Sequence, residues 1–224
     1  MYLRDVIYSI TGHRIIPIDT KNDPLHRDMI SYLKCSLDNI RNMIFYAKRP
    51  NDVSNNTCPS TPCLEESIVR QFNTVSSRLQ AKWLSSSGYP DIEIIDSSTG
   101  NPIGYIEVKA TAREDMRSPR DFYVSPGKVI SVVPIREANG DVKFNVRVRP
   151  RLTRYKIRND APHIMVLVKI ERAEKCPRPP EIPPECICWR VTWWNLYDLY
   201  YLELRTKIEF NTDYYEIINM CPRL

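Results

Sequence analysis

The chain has 224 residues, 42% apolar and 26% charged, the balance of an ordinary folded domain with material for a real core. It holds no run of eighteen apolar residues, which excludes a membrane-spanning helix, and its opening MYLRDVIYSITGHR lacks the uncharged stretch of a secretory signal, so a cytoplasmic location is expected. The net charge is +5, but residues 110–158 alone carry +7 and the rest −2, an asymmetry that suits a polyanionic partner.

The first twenty residues are mixed and apolar-rich and predict a short strand or arm. Asp23-Pro24 predicts an N-cap with proline at the first helical position. Leu25, Met29, Tyr32, Leu33, Ile40, Met43, Ile44 and Ala47 follow at helical spacing. They predict one long amphipathic helix, or two in succession, ending before Pro50. Residues 51–60 are polar and turn-rich, which predicts a surface loop. Thr61-Pro62 opens a further helix with the stripe Leu64, Ile68, Phe72, Val75 and Leu79, expected to stop near 85–88. DIEIID (91–96) and IGYIEVKA (103–110), joined by SSTGNP, predict a β-hairpin. More strands are expected at 129–135, 142–148, 163–170 and 187–193, with Asn139-Gly140 as a hairpin turn between the first two. Five prolines in residues 177–184 exclude regular structure there. WWNLYDLYYLELR (193–205) suits a helix, and YYEII (214–218) a last short strand. The pattern fits an α/β fold with a central mixed β-sheet flanked by helices.

Several chemistries are hard to build from this chain. None of the six glycines falls in GxGxxG or GxxxxGK[ST], the usual phosphate cradles. Three scattered histidines (His13, His26, His163) do not suggest a histidine-driven site. The seven cysteines are odd in number, which suits an intracellular chain. No histidine stands beside the close pairs Cys58/Cys63 and Cys186/Cys188, so zinc is not indicated. They read as mostly buried or free thiols, with a local Cys58–Cys63 bridge left open.

The chemistry lies on the hairpin. Pro90-Asp91 is followed, after fifteen residues, by Glu107-Val108-Lys109. Residues i and i+2 of a strand share a face, so Glu107 and Lys109 project together while Ile106 and Val108 face the core. Asp91 opens the neighbouring strand, and pairing can bring its carboxylate to that of Glu107. Two acidic oxygens with an adjacent carbonyl suit a hard, octahedral cation such as Mg²⁺. A lysine beside them can orient or deprotonate a water and stabilise charge on a phosphate. Glu93 shares the face of Asp91 and reads as a solvent-facing strand residue. Asp19-Thr20-Lys21 and Asp141-Val142-Lys143 repeat the short acid-x-Lys pattern by accident, without a Pro-Asp upstream.

This pattern, on a strand–turn–strand after an amphipathic helix, resembles the PD-(D/E)xK nuclease superfamily. The chain's size resembles type II restriction endonucleases in particular. The resemblance implies a nuclease core at 61–170, an N-terminal region (1–60) for dimerisation or DNA contact, and a C-terminal part (171–224) completing a single domain. It implies Asp91 and Glu107 as metal ligands and Lys109 as the catalytic lysine, with Mg²⁺ as cofactor and Mn²⁺ able to substitute. Many members add a glutamate from the preceding helix. With Leu64 at 0°, the apolar stripe lies near 20–80°, Glu65 at about 100° and Glu66 at about 200°, which favours Glu65. The implied function is hydrolysis of double-stranded DNA by a homodimer, alongside a cognate methyltransferase in the same cell.

Candidate DNA contacts come from the basic stretch. Arg147, Arg149, Arg151, Arg154, Lys156 and Arg158 fall within twelve residues without an acid. Arginine's fork suits phosphate and the guanine edge. Arg113, Arg117, Arg120 and Lys128 follow the catalytic strand, and Thr111 shares the face of Lys109. The aromatic run Trp189, Trp193, Trp194, Tyr197, Tyr200 and Tyr201 reads as core or dimer interface rather than as a base-stacking platform. Three alternatives stay open: a structure-selective nuclease like a Holliday-junction resolvase, a non-catalytic DNA-binding module, and a chance motif.

Overall fold

A computed structural model of the chain describes residues 2–54, 58, 61–84, 89–112, 121–123, 131–136, 142–148, 156–177 and 179–202. The elements run α1 (Leu3–Thr11), α2 (Pro24–Ile40), β1 (Ile44–Ala47), a 3₁₀ turn (Pro50–Ser54), α3 (Leu64–Val75), β2 (Leu79–Trp83), β3 (Ile92–Asp96) and β4 (Pro102–Thr111). They continue with β5 (Asp121–Tyr123), β6 (Ser131–Arg136), β7 (Val142–Val148), β8 (His163–Arg172), β9 (Ile187–Asp198) and a second 3₁₀ turn (Leu199–Tyr201). Six strands form one sheet in the order β1-β9-β8-β4-β3-β2. β4 and β8 are parallel and the other pairs antiparallel, so the sheet is mixed, as the sequence predicts. A second sheet has the order β5-β7-β6, with β6 and β7 antiparallel; the Asn139-Gly140 turn between them lies outside the described residues, as does the expected strand at 214–218.

The core lies between the sheet and the helices. Met29, Leu33, Leu37 and Ile40 of α2 and Ile68 and Phe72 of α3 pack on Ile92, Ile94, Ile106, Val108, Ile164, Val166 and Val168. Gly104 admits α2 to the sheet, because a Cβ there would collide with the Met29 sulfur. Asp23 caps α2 by accepting from the N–H groups of Leu25 and His26, with Pro24 in the first turn. No helix among the described residues is long and apolar enough to cross a membrane.

Four expected boundaries are corrected. The opening segment is helix α1, not a strand or arm: Leu3 and Ile7, four apart, are buried, and the Leu3 N–H bonds to the Leu202 carbonyl. α2 stops at Ile40, and Ile44 and Ala47 belong to β1, which pairs with β9. A four-residue apolar run fits either period, and Ile, Phe and Tyr favour the strand once a partner edge exists. α3 stops at Val75, so Leu79 lies on β2, where burial alternates. Residues 193–198 are not helix but the second half of β9, zipped to β8 from Ile164↔Asp198 onward.

Within the expected loop at 51–60, a 3₁₀ turn runs to Ser54, Val53 lies in the core and Cys58 is buried. Cys58 is disulfide-bonded to Cys186, not to Cys63, and Cys176 to Cys188. Cys35 and Cys63 are free thiols, and Cys221 lies outside the described residues. Trp189 donates its indole N–H to the Ala47 carbonyl and Trp194 to Asp38, so both rings are engaged in packing the chain.

Candidate active site

The hairpin register builds the site. Ile92 faces Ile106 and Glu93 faces Tyr105 across the antiparallel β3–β4 pair. Asp91 stands one residue before β3. Its N–H donates to the Ile106 carbonyl at 3.0 Å, and its Oδ2 accepts from the Val108 N–H at 2.7 Å. Its carboxylate is thereby fixed beside the two residues that flank Val108. Glu107 and Lys109 share one face of β4, and the Lys109 Nζ lies 2.5 Å from Glu107 Oε1 and 3.9 Å from Asp91 Oδ2. The same ammonium donates to the Val108 carbonyl at 3.0 Å.

The fourth group comes from α3. Glu65 is 5% exposed and turned inward, whereas Glu66 faces outward and pairs with Arg70 at 2.6 Å. That division follows from the 100° step of the helix, with Leu64 and Ile68 anchoring the buried face. The Ser54 hydroxyl of the first 3₁₀ turn bonds the Glu65 carboxyl. Cys63 caps α3 by accepting from the Glu66 N–H, and burial pushes its thiol up to about 12, so it stays protonated.

The electrostatics are those of a cluster short of positive charge. Burial, then the Asp91 charge, raises Glu65 to about 8. Burial, then Asp91, also holds Glu107 well above the usual carboxylate range. Burial alone would lower Lys109, but the Glu107 and Asp91 carboxylates outweigh it and hold the ammonium above its ordinary value. Two carboxylates thus pair directly with one ammonium, and the charge of a third, Glu65, bears on it. Glu65 Oε2 and Glu107 Oε2 are buried without a hydrogen-bond partner, although buried polar atoms are normally satisfied. Hard oxygen donors with open lone pairs fit a divalent cation such as Mg²⁺. Among the described residues no three His, Cys, Asp or Glu side chains are drawn together into a ready-made metal cage. Here the Lys109 ammonium bridges Glu107 and Asp91.

The remaining candidates divide by position. Thr111 ends β4, buried. The Lys156 ammonium donates to the Leu84 carbonyl at 3.1 Å, and its backbone N–H to the Tyr89 carbonyl. Arg147 lies on β7, opposite Tyr123 and Val132. Arg113, Arg117, Arg120, Lys128, Arg149, Arg151 and Arg154 lie outside the described residues. Arg158, the last of the basic run, is not free: its Nε and Nη2 fork onto Glu93 at 3.0 and 2.7 Å. Glu93, expected to face solvent, is 2% exposed, because Arg158 covers it. Sequence reasoning missed Ser54, Cys63 and a buried Tyr89–His163 contact at 2.6 Å. No local pattern signals the last of these, since its partners are 74 residues apart.

A family model, that of the type II restriction enzyme MjaV family, matches residues 1–135, a stretch that includes Glu65, Asp91, Glu107 and Lys109. No curated protein and no solved structure matches the chain.

Proposed function

The chain belongs to the type II restriction enzyme MjaV family and is a site-specific deoxyribonuclease, and from that premise we propose that it is a Mg²⁺-dependent homodimer cutting double-stranded DNA at the Asp91–Glu107–Lys109 site. The observation that carries this reading is the pair of unpartnered, buried carboxylate oxygens on Glu65 and Glu107, with Glu107 and Asp91 paired to one ammonium. Glu65, Asp91 and Glu107 would hold the cation, with Mn²⁺ a workable substitute. When bound, the cation supplies polarisation of the scissile phosphate and acidifies a water.

The chain's own groups do the rest. Lys109 stands beside Glu107 and Asp91, where it orients the attacking water or takes its proton and neutralises charge growing on the phosphate. The water oxygen bonds to phosphorus as the bond to the 3′ oxygen breaks, leaving a 5′-phosphate and a 3′-hydroxyl. The Val108 N–H holds Asp91 in place at 2.7 Å. Thr111, Arg113, Arg117, Arg120, Lys128, Arg147, Arg149, Arg151, Arg154 and Lys156 are the proposed DNA contacts, the cationic ones acting mainly on phosphates. A two-fold dimer places one site on each strand. A cytoplasmic setting with a cognate methyltransferase follows from that role, and the whole chain would form one nuclease domain.

Incubation of the purified protein with unmethylated phage DNA, with and without Mg²⁺, tests the reading. Discrete bands that require Mg²⁺ and vanish in Lys109→Ala are expected. Equal cutting by Lys109→Ala, or cutting without a divalent cation, would overturn the assignment of this site. Cutting confined to four-way junctions would replace it with a structure-selective nuclease.

A further inference from the structure

We infer that Tyr89 and His163 form a positioning pair that holds Asp91 in register for the cation, a role that rests on the reading of Asp91 as a metal ligand. Asp91 stands one residue before β3, and its N–H and carbonyl bond to Ile106 and Leu84 on the two neighbouring segments. The two residues before it are anchored separately. The Tyr89 hydroxyl meets His163 Nδ1 at 2.6 Å, and the Tyr89 carbonyl accepts from the Lys156 N–H at 3.0 Å. With the Ile106 and Val108 bonds to Asp91, the tripeptide Tyr89-Pro90-Asp91 is tied at both ends. One tie runs to β8 and the other to β4, the two parallel strands at the centre of the sheet.

His163 has no other polar use. It is 1% exposed and opens β8 opposite Tyr105. The rings of Tyr89 and Tyr105 lie 5.5 and 5.0 Å from it, and its Nε2 has no hydrogen-bond partner. Burial holds its pKa near 3, so the ring is neutral at any working pH. An apolar ring would fill the same space without leaving an unpartnered nitrogen. What the imidazole adds is one directional bond to the residue two before Asp91. Groups that orient a metal ligand are commonly felt in metal affinity or in activity.

Mn²⁺ binding by the full-length, DNA-free protein, followed by electron paramagnetic resonance, tests this alongside cleavage rates at varied metal concentration. Tyr89→Phe and His163→Leu are each expected to weaken Mn²⁺ binding about 10-fold, as loss of a ligand-orienting contact does. The rate at saturating metal should stay near that of the unaltered enzyme. His163→Asn, whose side-chain oxygen can stand where Nδ1 stood, should restore most of the affinity. If Tyr89→Phe binds Mn²⁺ normally while Asp91→Asn does not, the positioning role falls and the ligand role of Asp91 survives. If Asp91→Asn also binds normally, the ligand role falls and takes this inference with it. Should Tyr89→Phe fail to fold, the Asn and Leu variants at His163 decide: equal weakening in both would overturn the proposal.

Discussion

Glu93 and Glu107 are buried carboxylates on adjacent strands of one hairpin, 2% and 3% exposed, and the fold treats them differently. Glu93 meets the fork of Arg158, which donates to both of its oxygens. Glu107 meets the ammonium of Lys109, a point charge that reaches one oxygen and leaves Oε2 without a partner. The first arrangement is closed: charge and lone pairs are both matched within the chain. The second is open, and the nearby carboxylates of Asp91 and Glu65 deepen the shortage of positive charge. Burial of an acid is therefore a poor sign of function by itself. Burial with an oxygen left over, among like charges, is a better one.

The largest expected effect is at the open site. Lys109→Ala should lower cleavage by about 100- to 1,000-fold, the range for removing one preorganised donor from a developing charge. Single-turnover kinetics at saturating metal would measure it. A sharper test makes the open site resemble the closed one. Lys109→Arg should cover both oxygens of Glu107, raising the melting temperature while silencing cleavage. An active Lys109→Arg enzyme would break the comparison, because lysine would then not be needed to leave an oxygen free.

The closed pair should show the reverse pattern. Arg158→Leu strands a buried carboxylate and should cost about 2 kcal/mol, a figure kept at the low end because the arginine side chain is half exposed. Glu93→Leu with Arg158→Leu should recover most of that, as apolar replacement of a whole pair commonly does. Thermal unfolding would score both. Cleavage at a permissive temperature should change less than about 2-fold, a surface-substitution-sized effect.

His163 carries the contrast between satisfied and unsatisfied groups into pH dependence. Its folded-state pKa, about 3, lies below the ordinary histidine value of 6.5, so the unfolded chain binds the extra proton first. Stability from this group is complete above about pH 6.5 and is lost as the pH falls toward 3, at about 1.4 kcal/mol per pH unit. Denaturant titrations from pH 7 to 4 should show this slope, and His163→Leu should flatten it. The smallest expected effect is at Glu66: Glu66→Ala should cost about 0.3–0.5 kcal/mol through its exposed pair with Arg70 and leave cleavage unchanged. Glu65→Ala, one residue away, should impair cleavage. A reversed result would move the ligand role to Glu66.

What the sequence disclosed is what local periodicity controls. Glu107 and Lys109 share a strand face because the period is two, and SSTGNP closes the hairpin within a few residues. Glu65 points inward and Glu66 outward because a helix advances 100° per residue. Where a segment was short, the period misled. Ile44–Ala47 and Leu79 continue helical stripes on paper, but a waiting sheet edge takes them as strands. The aromatic residues after Trp193 were resolved the same way, by the length of β8 that could pair with them. Contacts between distant segments left no trace in the sequence. Glu93 and Arg158 are 65 residues apart, Tyr89 and His163 74, and Cys58 and Cys186 128. Only folding brings such partners together, so a solvent-facing Glu93 was a fair expectation and a wrong one.

The Cys58–Cys186 bridge has a topological consequence. With its ends 128 positions apart, it closes a covalent ring that contains α3, the catalytic hairpin and both β4 and β8. An oxidised chain that unfolds remains a hoop rather than a free coil, which lowers its entropy by an amount on the order of 5 kcal/mol in the chain-entropy description. A backbone break anywhere inside the hoop turns one polypeptide into two that still travel together. Every proposed ligand of the cation lies within that ring, so a nicked molecule keeps all of them on one covalent body.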